Sequence, residues 1–310
     1  MRVRPLSTMA GALLGIVLGL TTALPAAQAA PDTTSGSTAT VGRLVLEPTV
    51  DRGYRGTLPI EVTHQGTEPA QVRFVITEPI RHTYKNPATG LNCYSSELLP
   101  DGRSRLECAV PGEPWQPGET RSFELDFEVL TAPQAQAMKA AGGRVAVKVD
   151  GTVITETRFR TLFRSTTGSL RDPVPYVRDL VPDASITVGD ATMVRQPDGS
   201  WLGRMPVTVR YASDAAHTGN YLVEQNLPAG VWLSQTDPFD GCAHFCVPGG
   251  EMMEGEVRTF DALLVASAET TPTPPTQATL AVETYYYSLV ADAVPSDNSD
   301  PFTVTFADAS

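Results

Sequence analysis

The stretch Phe123-Glu124-Leu125-Asp126-Phe127-Glu128-Val129 alternates apolar and acidic residues without a break. Successive side chains of a strand point to opposite faces, so Phe123, Leu125, Phe127 and Val129 share one face and Glu124, Asp126 and Glu128 the other. That is the pattern of a half-buried strand in an antiparallel sheet. Segments of strand character precede it at 43–47, 57–62 and 70–76 and follow it at 144–149 and 158–163. A second series starts at Ile186 and continues over 204–211, 220–224, 258–266, 279–288 and 301–306. Clusters of Gly, Pro, Asp and Ser separate these segments, and short strands so punctuated are the sequence form of a β-sandwich. The convincing exception is Thr131 to Gly142, where Thr131 as N-cap, Pro133 in the first turn, an Ala/Gln/Met body and a closing Gly142 predict a short helix.

The two series are related by an internal repeat. Cys108-Ala109-Val110-Pro111-Gly112 corresponds to Cys246-Val247-Pro248-Gly249, and Gly118-Glu119-Thr120-Arg121-Ser122-Phe123 to Gly255-Glu256-Val257-Arg258-Thr259-Phe260. Upstream, Gly56-Thr57-Leu58-Pro59-Ile60-Glu61-Val62 matches Gly203-Arg204-Met205-Pro206-Val207-Thr208-Val209. A period of well over a hundred residues is a duplicated domain rather than a solenoid unit. With four cysteines, the repeat favours Cys93 with Cys108 and Cys242 with Cys246, because each bridge then stays within its own copy.

At the start of the chain, Arg2 and Arg4 form a basic region, Met9 to Leu24 is apolar and uncharged, and Ala27-Gln28-Ala29 fits the small-x-small cleavage pattern. Residues 1–30 are therefore expected to be a cleaved secretory signal; the apolar run is short for a bilayer span of ~20 residues. Export places the cysteines in an oxidising compartment. The formal charge of −12 becomes −14 once the two signal arginines are removed, a balance that disfavours nucleic acid and anionic lipid. No membrane insertion is expected after cleavage. Residues 31–40 read as a flexible tether, 41–165 and 183–310 as the two domains, and 166–182, with Asp172-Pro173-Val174-Pro175, as their linker.

This organisation resembles a family of bacterial extracellular immunoglobulin-like repeats, common in actinobacterial surface and secreted proteins. Leu227-Pro228-Ala229-Gly230 matches the family's Leu-Pro-x-Gly turn, and Gln116-Pro117-Gly118-Glu119 approximates its Pro-Gly-Glu turn. The first copy departs with Thr77-Glu78-Pro79-Ile80 and the second with Met253-Glu254-Gly255-Glu256. The resemblance implies an all-β protein of two tandem immunoglobulin-like sandwiches in an extracellular setting. It brings no catalytic residues.

Residues able to carry chemistry do not assemble into a catalytic pattern. His64, His82, His217 and His244 are widely spaced and are expected on the surface or in loops. Cys242-Ala243-His244-Phe245-Cys246 offers three zinc ligands, but a structural site wants four, and export favours the disulfide. Asp292, Asp297, Asn298 and Asp300, like Asp237 and Asp240, lack calcium-loop spacing and read as solvated turn residues. Serines such as Ser165 and Ser169 have no nucleophile elbow. Trp201, Trp232 and the run Tyr285-Tyr286-Tyr287 are the candidate ligand-facing aromatics, against core packing as the plainer reading.

These readings describe a non-enzymatic, secreted or cell-envelope-associated protein with no catalytic residues, metal or cofactor. Its partner would be a cell-wall component, a glycan or another extracellular protein. The candidate surfaces are the loops around Cys93 to Cys108 and Thr236 to Cys246. A carbohydrate-binding accessory protein is the alternative, requiring exposed coplanar aromatics, and a hydrolase a third, requiring converging acids or histidines in a pocket.

Overall fold

Alternating apolar positions are buried along one strand after another, and the result is two β-sandwiches built to one plan. The computed structural model describes residues 37–87, 91–239, 241 and 245–307, and the expected signal at 1–30 lies outside the described residues. The first sandwich contains β1 (Thr38–Val41), β2 (Leu44–Thr49), β3 (Gly53–Thr63), β4 (Val72–Thr77), β5 (Tyr84–Pro87), β6 (Asn92–Leu98), β7 (Ser104–Ala109), β8 (Thr120–Val129), β9 (Met138–Val149), β10 (Thr152–Phe163) and β11 (Val174–Pro175). The second contains β12 (Ala184–Val188), β13 (Ala191–Arg195), β14 (Trp201–Tyr211), β15 (Gly219–Gln225), β16 (Val231–Asp237), β17 (Val257–Ala266), β18 (Thr276–Tyr286), β19 (Ser288–Leu289) and β20 (Ser299–Ala307).

Strand order in the first sandwich is β5-β8-β3-β2-β10-β9-β4-β7-β6. β2 changes layers along its length. Leu44–Leu46 pair parallel with β10, while Glu47–Thr49 pair antiparallel with β3. Leu58, Ile60, Phe123, Leu125 and Phe127 of one layer thereby close on Phe74, Ile76, Val145, Val147 and Phe159 of the other. Phe74 meets Phe123 edge-on at 5.1 Å between ring centres, and Phe127 lies 6.1 Å from Phe159. The second sandwich repeats the device in the order β15-β18-β20-β13-β14-β17-β16, where β13 runs parallel to β20 and antiparallel to β14. Its separate core centres on Met205, Val207, Val209, Leu264, Leu280 and Val304.

The internal repeat is visible in the hydrogen bonds. Gly42 N–H donates to the Pro59 carbonyl and Gly189 N–H to that of Pro206, both at 2.8 Å. The turn at Gly118-Glu119 recurs at Gly255-Glu256: Gly118 donates to His64, Gly255 to Tyr211, and Glu119 and Glu256 each accept the N–H three residues back. Both glycines have φ near +80°, where a β-carbon is disfavoured, and each glutamate pairs with the arginine two residues on.

Three expectations are corrected. There is no helix among the described residues at 131–142: Met138–Ala141 open β9, where the Met138 side chain is buried and Ala140 pairs with Thr161. Helix propensity over so short a segment amounts to a few tenths of a kcal/mol per residue, and burial with strand pairing outweighs it. The expected tether ends in structure, since Thr38–Val41 pair with Ile60–Thr63 and Ala39 and Val41 pack on the core. Residues 166–182 are no free connector: Val174–Pro175 pair with β9, Tyr176 packs 4.7 Å from Phe163, and Arg178 is buried.

Candidate functional site

Outward-facing residues of β10, β9, β4 and β7 meet in a row set by strand register. Arg158 lies opposite Arg144, Arg144 opposite Thr77, and Thr77 opposite Arg105. Three arginines on four consecutive strands thus share one face, and Arg103 follows at the end of β7. This row forms the floor of a groove of about 700 Å³. The walls are Pro79 and Ile80 after β4, Leu99 and Asp101 from the β6–β7 hairpin, and Tyr176 to Arg178. Five arginines (103, 105, 144, 158 and 178) and a single acid, Asp101, line it, in a chain whose overall charge is −12.

Local structure explains the concavity. Between Phe159 and Thr161 of β10 the partner positions jump from Gly143 to Ala140, a bulge that bends β9. A β-carbon on Gly143 would sit 2.2 Å from the Phe159 ring, and one on Gly142 2.6 Å from the Phe159 carbonyl oxygen, so both positions require glycine. They leave bare backbone in the groove wall. The opposite rim is held by Glu78, a buried carboxylate that accepts the N–H groups of Thr83, Tyr84 and Ser104 at 2.8–2.9 Å.

The arginines differ in how far their charge is balanced. Arg103 pairs with Asp101 at 2.8 Å, Arg105 with Glu97 at 2.6 Å, and Arg144 with Glu156. Glu97 and Glu156 lie outside the groove lining. Arg178 donates to the carbonyls of Asp214, Arg81 and His82. Arg158 has no carboxylate partner among the described residues.

Beside the groove the two sandwiches are clamped together. Glu251 of the second receives His82 Nε2 at 2.9 Å and Lys85 Nζ at 2.6 Å from the first, and Arg52 donates to its carbonyl. Burial alone would raise the Glu251 carboxyl, but the hydrogen bond from His82 and the charges of Lys85 and His82 outweigh it and hold the group at about 2. Glu254 Oε2 accepts both Thr131 Oγ1–H and Ala132 N–H at 2.8 Å. Glu128, expected on the solvent face of β8, is buried in the same region because Arg52 and Arg55 pair with it. Tyr286 donates to the Gly102 carbonyl while Arg81 lies 3.9 Å over its ring.

The residues singled out from sequence are dispersed. Cys93 and Cys108 face each other across β6 and β7 and form a disulfide, which belongs with an oxidising compartment. Cys246 is disulfide-bonded, while Cys242 and His244 lie outside the described residues. Trp201 and Tyr286 are buried and cannot face a ligand, Trp201 because strand phase turns it into the core and Tyr286 because Arg81, His82 and Gly102 of the first sandwich cover it; Trp232 and Tyr287 are exposed, and Tyr285 is half-buried against Tyr221. His64 and His217 are buried rather than superficial. Ser37 Oγ and the Glu68 carbonyl occupy both ring nitrogens of His64, and the Ala215 carbonyl and Met252 N–H those of His217. Asp183, Asp292 and Asp297 bring carboxylate oxygens within 4.8 Å of one another, and Asp292 also accepts the backbone N–H groups of Ala184 and Val294. The groove arginines were not singled out from sequence, although alternation in Arg144-Val145-Ala146-Val147-Lys148 and Arg158-Phe159-Arg160 turns them outward.

No family model and no curated protein matches the chain. Among solved structures, it is similar to the pre-assembly complex of the CsuC chaperone with the CsuE tip adhesion subunit from Csu pili of Acinetobacter baumannii, at 9% identity and a TM-score of 0.22 over 87% of this chain and 99% of that one. It is likewise similar to the periplasmic chaperone SfaE, at 12% identity and a TM-score of 0.21 over 88% and 100% of the two chains. Likeness at this level does not bear on what this chain binds. Fold and site together define a protein of two clamped β-sandwiches with an arginine-lined groove.

Proposed function

We propose that this is an exported, non-enzymatic binding protein of the bacterial extracellular immunoglobulin-like type, and that its binding site is the arginine groove, which takes an anionic group from a partner. The observation that carries the reading is the convergence of five arginines with one aspartate around a single concavity of an acidic protein. Guanidinium groups suit carboxylate and phosphate because they donate two parallel hydrogen bonds, and assembling several of them works against their mutual repulsion. A receptor for anions gives that arrangement a reason. The buried histidines, with both ring nitrogens engaged in structural hydrogen bonds, are poor candidates for proton transfer. The carbohydrate alternative loses two of its five aromatics to burial.

The test is thermal unfolding with citrate or pyrophosphate titrated in at low ionic strength. An anion that binds the native state raises the transition temperature with concentration. The double variant Arg144→Glu/Arg158→Glu is expected to abolish that rise while keeping the native circular dichroism. An equal rise in variant and parent, or none in either, refutes the reading.

A further inference from the structure

We infer that the ligand is an acidic polypeptide segment lying across the strands, a deepening that rests on the anion-binding reading of the groove. The first argument is spacing. Arg158, Arg144 and Arg105 occupy one row over four strands, so the outer two are about 14 Å apart at ~4.8 Å per strand. A single carboxylate or phosphate reaches one or two of these guanidiniums. An extended peptide advances ~3.4 Å per residue, so about four residues span the row, with alternate side chains facing it.

The second argument is the chemistry of the walls. Leu99 and Val177 bring accessible aliphatic side chains to the same groove as the arginines, beside the buried Pro79 and Ile80. Val177 is 84% exposed, so its side chain is open to contact by a ligand in the groove. At the bulge, Gly142 presents exposed backbone without a side chain to the groove. The arginine floor, the aliphatic Leu99 and Val177 and the exposed backbone of Gly142 match a chain of alternating acidic and apolar residues. A phosphodiester polymer would use the arginines and leave the rim idle.

The experiment is fluorescence anisotropy of the purified protein with labelled (Glu-Leu)n and (Glu-Ser)n peptides, n from 1 to 4, and with linear oligophosphates of matched charge. Affinity is expected to rise at least tenfold from n = 1 to n = 3 and then level off, with the leucine series at least threefold tighter than the serine series. Arg158→Ser and Arg105→Ser, checked for unchanged unfolding midpoints, should each weaken the n = 3 peptide several-fold and leave n = 1 nearly unaffected. Affinity independent of n overturns the extended ligand, and tighter binding of oligophosphate overturns the peptide. Should citrate stabilise the protein through Arg144 and Arg158 while no peptide binds, this inference falls and the anion-binding reading stands; when neither binds, both fall.

Discussion

Acidification should weaken the second sandwich through one residue, His217. Its ring is 1% exposed, accepts the Met252 N–H at Nε2 over 2.9 Å and faces the Ala215 carbonyl through Nδ1, an arrangement that requires the neutral ring. Burial lowers its pKa from 6.5 to about 4, against the Ala215 hydrogen bond and the Glu251 charge, with Arg178 and His82 reinforcing the depression. The folded pKa lies below the unfolded one, so the unfolded chain takes up the proton first. Stability is complete above pH 6.5 and falls as pH drops toward 4. At 1.36 kcal/mol per pH unit the loss approaches roughly 3.4 kcal/mol. The assay is urea unfolding at pH 7.0, 6.0, 5.0 and 4.0 for the parent and for His217→Gln, which keeps an acceptor and a donor but does not titrate. The variant should start somewhat less stable and lose about 3 kcal/mol less over the interval. Asp126, Asp179 and Asp183, whose carboxyls burial raises, oppose the trend at the acid end in both proteins and cancel in the comparison. Parallel stability curves for the two proteins would refute the reasoning.

Glu251→Ala takes the carboxylate from His82 and leaves Lys85 only its longer 3.8 Å pair with Glu128, so a cost of roughly 2–4 kcal/mol is expected, and the calorimetric transition should separate into two as the sandwiches uncouple. Because the Glu251 pKa is held at about 2, the parent's clamp is intact above pH 4.5 and is lost as pH falls toward 2, whereas Glu251→Ala should show no such step in the separation of its transitions. The double variant Cys93→Ser/Cys108→Ser removes a bridge across 15 residues and should lower the urea-derived stability by about 3 kcal/mol relative to the oxidised parent.

Much of this architecture could be read from the chain. Phe123 to Val129 formed the predicted strand β8 because residue alternation and strand geometry share the same period of two. The repeat also held its meaning in three dimensions, since the Gly-Glu-x-Arg turn is closed by hydrogen bonds local to each copy. The errors arose where distant partners decided. The Thr131 to Gly142 segment carries helical composition, yet β10 and β11 claim its second half as strand. Glu128 alternates outward, yet cations on β3, on β5 and in the turn before β3 draw it into a buried cluster. Tyr286 and Trp201 carry the composition of a binding surface, yet strand phase turned Trp201 into the core and the first sandwich covers Tyr286.

The sequence by itself determined the all-β class, the duplication, the principal strands and the face each side chain takes, because those depend on periodicities of a few residues. Only the tertiary structure decided that Arg158, Arg144 and Arg105 share a row, that Tyr176 to Arg178 wall a groove, and that Glu251 locks one sandwich to the other. These features depend on inter-strand register and on contacts between residues as far as 199 positions apart. Side-chain identity sets which partners are compatible, and the packing of two whole sandwiches selects the ones that meet.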